Sequence, residues 1–254
     1  MQQPKTLTTL VTAEFVQRFS YWGLQSILVL FIIHAYEFTH SNAYIIYGTF
    51  TSLTFAMAIL GGFLADRLFN FKTTVLWGIF FSLIGNSIMA LSATSSAIYI
   101  GLACICYGTG IFISSNSNLL AYFYQDNDKH RDRGYVYLYI GTNLGGLSGP
   151  IIYGILYQFF DWHLAFLASI VWSVLWWSIY FKKRSYFHSE IMRKTDPMTV
   201  SFFSMTSFFF ISILAIVFIY YCFVHVLLLQ YLLVLVGIGL ILFFSLYLLK
   251  FQKS

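Results

Sequence analysis

Polar positions break this chain only at long intervals. Between them run apolar stretches near Thr8 to Ile33, Ala43 to Leu64, Thr74 to Leu91, Ala97 to Ala121, Tyr135 to Phe159, Leu164 to Phe181, Thr199 to Tyr221 and Val226 to Leu249. A helix needs about 20 mostly apolar residues to cross the hydrocarbon core of a bilayer, so the pattern predicts eight transmembrane helices. The segment Lys182 to Pro197 is longer and more polar than the other interruptions. It divides the chain into a six-span block over residues 1–181, a cytoplasmic linker over 182–198, and a two-span hairpin with a short tail over 199–254. The first apolar run is much longer than the roughly 7–15 residues of a signal-peptide core, so it is expected to remain as the first span.

Composition identifies the solvent. Charged residues make up 9% of the chain and hydrophobic ones 59%, with a mean hydropathy of +0.76, whereas a soluble domain carries roughly a quarter of its residues as Asp, Glu, Lys and Arg. Too little charge is present to coat a water-facing surface, so lipid must cover most of it. Cys104 and Cys106 lie two apart, about 200° around a helix, and Cys222 is remote in sequence. They read as three buried thiols with no disulfide and no metal.

The formal charge of +5 is accounted for by topology. With the amino end in the cytoplasm, the cytoplasmic segments hold Lys5, then Arg67 and Lys72, then Lys129, Arg131 and Arg133, then Lys182, Lys183, Arg184, Arg193 and Lys194, then Lys250 and Lys253, which is 13 of the 14 basic residues. The opposite loops hold none. This is the positive-inside distribution, predicting an inner or plasma membrane protein with both termini cytoplasmic and no nucleic-acid partner. His34, His40, His163 and His225 all fall near the outer surface. No paired acids, Ser-His arrangement or metal-ligand spacing falls at membrane depth, so the chain does not read as an enzyme.

Glu14 and Arg18 stand well inside a span, both on the first one. Each costs at least about 2.5–3.5 kcal/mol at a helix centre. Spaced i, i+4 with the acid first, they can pair on one face, and Gln17, Tyr21 and Gln25 fall with them inside an arc of about 100°. That stripe is expected to face a protein interior or a wet cavity. Two readings are open: a locked ion pair that glues the helix to the bundle, or an Arg18 that binds an anionic substrate group while Glu14 exchanges a proton. The second gains weight because bundles can be glued with neutral polar groups at lower cost.

The stretch Glu14-Phe-Val-Gln17-Arg18-Phe19-Ser-Tyr21-Trp22-Gly23 resembles the Glu-x-x-Glu-Arg-Phe-x-Tyr-Tyr-Gly signature of the proton-dependent oligopeptide transporter family, a branch of the major facilitator superfamily. Gly61-Gly62-Phe-Leu-Ala65-Asp66-Arg67 resembles the superfamily's loop after its second span. Gly108 through Phe112, the Asp- and Arg-rich loop 126–133, and Gly134 through Pro150 with Asn143 and Gly145 are similar to that family's fourth and fifth spans. The resemblance covers residues 8–181 and implies an all-α fold: the N-terminal six-helix half of a major facilitator protein, with residues 199–249 resembling the extra helical hairpin of bacterial members.

What the resemblance implies for function is proton-coupled uptake of di- or tripeptides, with no cofactor beyond the coupling proton. Glu14 and Arg18 would couple the proton to the peptide carboxylate, and Arg18, Tyr21, Trp22 and Asn143 would bind the peptide. Gly61, Gly62, Asp66 and Arg67 would gate the cytoplasmic side. For Tyr21 an ordinary packed aromatic, and for Asn143 an interhelical hydrogen bond, are the plain alternatives. Departures from the pattern are Gln17 for the second acid, Trp22 for the second Tyr, Gln25 for an Arg, Phe55 for a binding Tyr and Ile113 for a Lys. Since no second six-span set follows, the chain is expected to be truncated and not to enclose a peptide site alone. The partners implied are small peptides and the lipid bilayer, together with a separate C-terminal half or a second copy. A non-transporting membrane scaffold is the competing reading.

Overall fold

The computed structural model describes residues 4–67, 69–91, 94–124, 130–192 and 202–226, with positions 231 and 238. Over them the chain forms helices α1 (Leu7–Tyr36), α2 (His40–Arg67), α3 (Phe71–Leu91), α4 (Ser95–Tyr122), α5 (Arg131–Phe159), α6 (Trp162–Met192) and α7 (Phe202–Val224), and no strand occurs among the described residues. Six of these, α1, α2, α3, α4, α6 and α7, are long and apolar enough to cross a membrane. With several such helices in one bundle, the chain is a multi-pass membrane protein. The expected eighth span, Val226 to Leu249, falls on residues of which the structure describes only 226, 231 and 238.

Helix boundaries depart from the hydropathy pattern in two instructive places. At 29 residues α5 is long enough to span, but it begins with Arg131, Asp132 and Arg133 and is spaced by glycines. It is therefore less apolar than its neighbours, because its inner face meets another helix and not lipid. The run expected to end at Phe181 continues as α6 to Met192, through Lys182, Lys183 and Arg184. Hydropathy reports where the chain leaves lipid; the helix itself persists because Lys and Arg are good helix formers and no Gly or Pro interrupts them.

The bundle is built around α1, which packs most extensively on α5 and also on α6, while α3 and α2 pack on α4. Small residues set these distances. A Cβ on Gly141, Gly145 or Gly149 would lie 2.7, 2.4 or 2.4 Å from the backbone oxygen of Val11, Phe15 or Phe19 respectively, so α5 meets the α1 backbone along one glycine row. Close approach of this kind is how helices associate in lipid, where apolar burial gives little drive. Gly61 does the same for α2, since its Cβ would stand 2.6 Å from the Cα of Ile111.

α7 docks on the outside of α4. Tyr107 Oη and Ser212 Oγ share a hydrogen bond of 2.8 Å, Phe208 meets Phe69 edge-on at 4.5 Å, and Phe223 stacks on Tyr99. All three cysteines are free and buried.

Candidate functional site

Glu14 is 3% exposed, in the wedge where α1 meets α4 and α5. Its Oε1 accepts from Arg18 Nε at 2.8 Å and from Thr142 Oγ1 at 3.2 Å; its Oε2 accepts from Asn116 Nδ2 at 2.7 Å. The i, i+4 spacing thus forms the ion pair anticipated from the sequence. The two partners differ in exposure: Arg18 keeps 20% of its side chain accessible against 4% for Glu14. Arg18 spends only Nε on the carboxylate, and among the described residues neither terminal nitrogen has a hydrogen-bond partner. A guanidinium offers five donors in a planar fork suited to carboxylates, so most of this guanidinium's donors have no partner among the described residues.

The polar stripe expected to run along one arc divides in the structure. Gln17 turns away from Arg18 and donates through Nε2 to Ser82 Oγ at 2.8 Å and Thr109 Oγ1 at 3.0 Å, in the seam between α3 and α4. One turn on, Ser20 Oγ accepts from Asn86 Nδ2 at 2.9 Å. Asn86 Oδ1 accepts from Tyr153 Oη at 3.3 Å, and Tyr153 Oη pairs with Ser169 Oγ at 2.5 Å. This second face is neutral, buried and tied to α3, α4, α5 and α6. The division follows from a helix whose neighbours fill almost its whole circumference: residues about 60–100° apart meet different helices.

Tyr21 is 2% exposed, with its ring against Phe50 and Trp22 and its hydroxyl accepting from Gln25 Nε2 at 2.8 Å. Gln25 also reaches Thr51 Oγ1 at 3.2 Å. Trp22 is 42% exposed and lies beside Gly146 of α5. Asn143 is exposed, and its amide donates to Tyr139 O of its own helix at 2.7 Å, so the plain alternative for it, an interhelical bond, is not formed among the described residues. Phe55 is exposed on α2, and Ile113 half-buried on α4.

Of the residues assigned to gating, Gly61 is buried in the α2–α4 contact, and Gly62 makes an ordinary approach to Ser114. Asp66 is exposed near the end of α2. Arg67 closes that helix, and its side chain lies outside the described residues.

Asn116, Thr142, Ser82 and Thr109 were not singled out from the sequence. A lone Asn or Thr in an apolar run carries no periodic signal. Only the cluster Ser114-Ser115-Asn116-Ser117-Asn118, unusual inside a span, could have drawn attention to α4.

Comparisons with known proteins place the chain in a family. The Major Facilitator Superfamily profile matches residues 10–253. The uncharacterized transporter YclF of Bacillus subtilis (strain 168) is 36% identical over 173 residues, covering 66% of this chain and 35% of that protein. Dipeptide and tripeptide permease A of Escherichia coli (strain K12) is 28% identical over 171 residues, covering 67% of this chain and 34% of that one. A crystal structure of the peptide transporter POT in complex with sulfate superposes with a TM-score of 0.69 at 29% identity, over 72% of this chain and 38% of the other. The chain thus spans about 35% of the length of the curated relatives it matches. The relatives are transporters, not enzymes.

Proposed function

We propose that this chain, which belongs to the Major Facilitator Superfamily, supplies the proton- and carboxylate-handling part of a di- or tripeptide symporter in the inner membrane, with both termini cytoplasmic. The observation that carries this reading is the asymmetry of the Glu14–Arg18 pair. A salt bridge kept only as glue gains by using as many donors as it can, whereas Arg18, 20% accessible, has no partner for either terminal nitrogen among the described residues. Arg18 receives the peptide carboxylate as a bidentate partner. Glu14, losing its cation to the substrate, takes up a proton.

Trp22 and Asn143, both exposed close to the α1–α5 contact, border the peptide, and Tyr21 buttresses Trp22 from behind. The Gly61-Gly62 approach to α4 and the Asp66-Arg67 pair govern opening on the cytoplasmic side. In transporters of this fold the substrate lies at the interface of two rocking halves. A second such half faces this surface. The distribution of Lys and Arg supports the orientation.

The test is uptake of a labelled dipeptide into proteoliposomes with and without an inward proton gradient. Gradient-dependent uptake that Arg18→Ala removes supports the reading. A second reading, a non-transporting scaffold, is favoured by the chemistry of Gln17, Phe55 and Ile113, none of which can carry a proton or a charge. It becomes the account if this chain, with any partner isolated alongside it, shows no uptake.

A further inference from the structure

We infer that Asn116 is a positioning residue for proton exchange at Glu14, an amide that sets how tightly the carboxyl holds its proton by serving both protonation states in turn. The inference rests on the proposed proton role of Glu14, and adds a residue on α4 that no resemblance assigns.

Three observations carry it. Asn116 is 1% exposed and donates its Nδ2 to Glu14 Oε2 at 2.7 Å. The same nitrogen makes a longer contact of 3.4 Å to Leu10 O. Its Oδ1 is buried with no hydrogen-bond partner among the described residues. A buried carbonyl oxygen left unpaired is costly, so its persistence here calls for a state in which it is used.

That state is the protonated acid. An ionised carboxylate only accepts hydrogen bonds, while a protonated one must donate one. When a proton from water reaches Oε2, rotation of the Asn116 amide by half a turn about Cβ–Cγ brings Oδ1 to accept from Oε2–H. The rotation breaks the bond from Nδ2 to the carboxylate and gives up the weak contact to Leu10 O. No other bond changes, and the proton stays on Oε2 until it leaves to water.

Thr142 can follow on the opposite oxygen. Its hydroxyl lies 3.2 Å from both Glu14 Oε1 and Leu138 O, so it can turn its hydrogen to Leu138 and stop donating to the acid. Arg18 cannot reverse, having no acceptor, and is the group released. Among the described residues, the polar contacts of Glu14 come from Arg18 on α1, Asn116 on α4 and Thr142 on α5; α2, α3 and α6 bring no titratable or charged side chain into hydrogen-bond or ion-pair contact with it.

In each state one end of the Asn116 amide meets the acid while the other has no partner among the described residues, so the two states differ chiefly in the bond made to Glu14. Donation to the ionised form is the stronger of the two bonds, since charge-assisted bonds are roughly twice as strong as neutral ones. Removing Asn116 should therefore make Glu14 hold its proton more tightly.

The test is infrared titration of the full-length protein in nanodiscs from about pH 4 to 9, using the carboxyl C=O band that Glu14→Gln abolishes. Asn116→Leu, close in volume but unable to hydrogen-bond, is expected to raise the Glu14 midpoint by about one pH unit, a tenfold tighter proton. It should also move the C=O band of the protonated acid to higher frequency, as its acceptor is lost. Ser115→Ala, which removes the buried hydroxyl next to Asn116 on α4 that accepts from Thr74 of α3, should move neither. Should Asn116→Leu fail to fold, Asn116→Ala serves, with the same two shifts expected. A Glu14 band that titrates identically in wild type and in the folded Asn116 variant overturns the inference and leaves the proton role of Glu14 standing. The absence of any titrating band that Glu14→Gln removes overturns both.

Discussion

α1 carries two polar faces, and they solve different problems. Toward α3 and the α3–α4 seam it presents Gln17 and Ser20, neutral groups whose hydrogen bonds run through Ser82, Thr109, Asn86, Tyr153 and Ser169. Toward α4 and α5 it presents Glu14 and Arg18, a charged pair around which two guanidinium nitrogens and the Asn116 amide oxygen have no hydrogen-bond partner among the described residues. Neutral bonds between helices cost little to insert and hold them well. Charges at that depth are expensive. A bundle already held by the first face has no structural need for the second, and under the proposed function the second is where substrate and proton act.

The largest effect is expected at the seam that carries the charged face. Gly145→Leu drives a side chain into Phe15 O, which a Cβ alone would approach at 2.4 Å. The expected outcome is loss of folded, monodisperse protein on size-exclusion chromatography. Gly154→Leu, where a Cβ meets nothing within 4 Å, should leave the profile unchanged. Equal behaviour of the two would mean that α5 does not rest on α1 as described.

Next in size is Arg18→Ala, expected to lower gradient-driven dipeptide uptake at least about a hundredfold, since a bidentate charge-assisted pair is lost at the site. Arg18→Lys should recover only part of it, because an ammonium lacks the planar fork. On the neutral face, Asn86→Leu removes the amide that donates to Ser20 and accepts from Tyr153, which keeps Ser169, and should destabilise the protein by about 1–3 kcal/mol. Thermal unfolding would register that loss while the pH profile of uptake keeps its midpoint. A midpoint that moves with Asn86 would merge the two faces into one network. Smallest is Asn143→Ala, whose amide bonds only its own helix. It should change stability by less than about 0.5 kcal/mol, so any weakening of uptake, read as a higher KM, reports contact with the peptide.

Much of this was legible in the sequence because bilayer physics leaves few choices. The positions of α1 to α4 follow from run length alone, and the spacing of Glu14 and Arg18 was enough to place them in one pair. The division of the polar stripe was not legible. Angular arithmetic places Gln17 and Arg18 within one arc, but α1 is surrounded, and which neighbour stands at each angle is decided by glycine rows on α5 and by α3–α4 packing far along the chain. Asn116 and Thr142 escaped for a related reason: each is a single polar residue that acquires meaning only when another helix brings Glu14 beside it. The helical run from Lys182 to Met192 escaped because loss of hydropathy marks the edge of lipid and says nothing about the backbone.

Under the proposed function, Arg18 faces a hydrated space that a peptide can enter while Gln17, one residue earlier, does not. Cysteine accessibility tests it directly. In a background with Cys104, Cys106 and Cys222 replaced by Ala, Arg18→Cys and Gln17→Cys would be treated in nanodiscs with a charged, membrane-impermeant thiol reagent. The account expects Arg18→Cys to react, dipeptide to slow that reaction, and Gln17→Cys to stay unmodified. An Arg18→Cys as inert as Gln17→Cys, or one whose labelling dipeptide never slows, would contradict it.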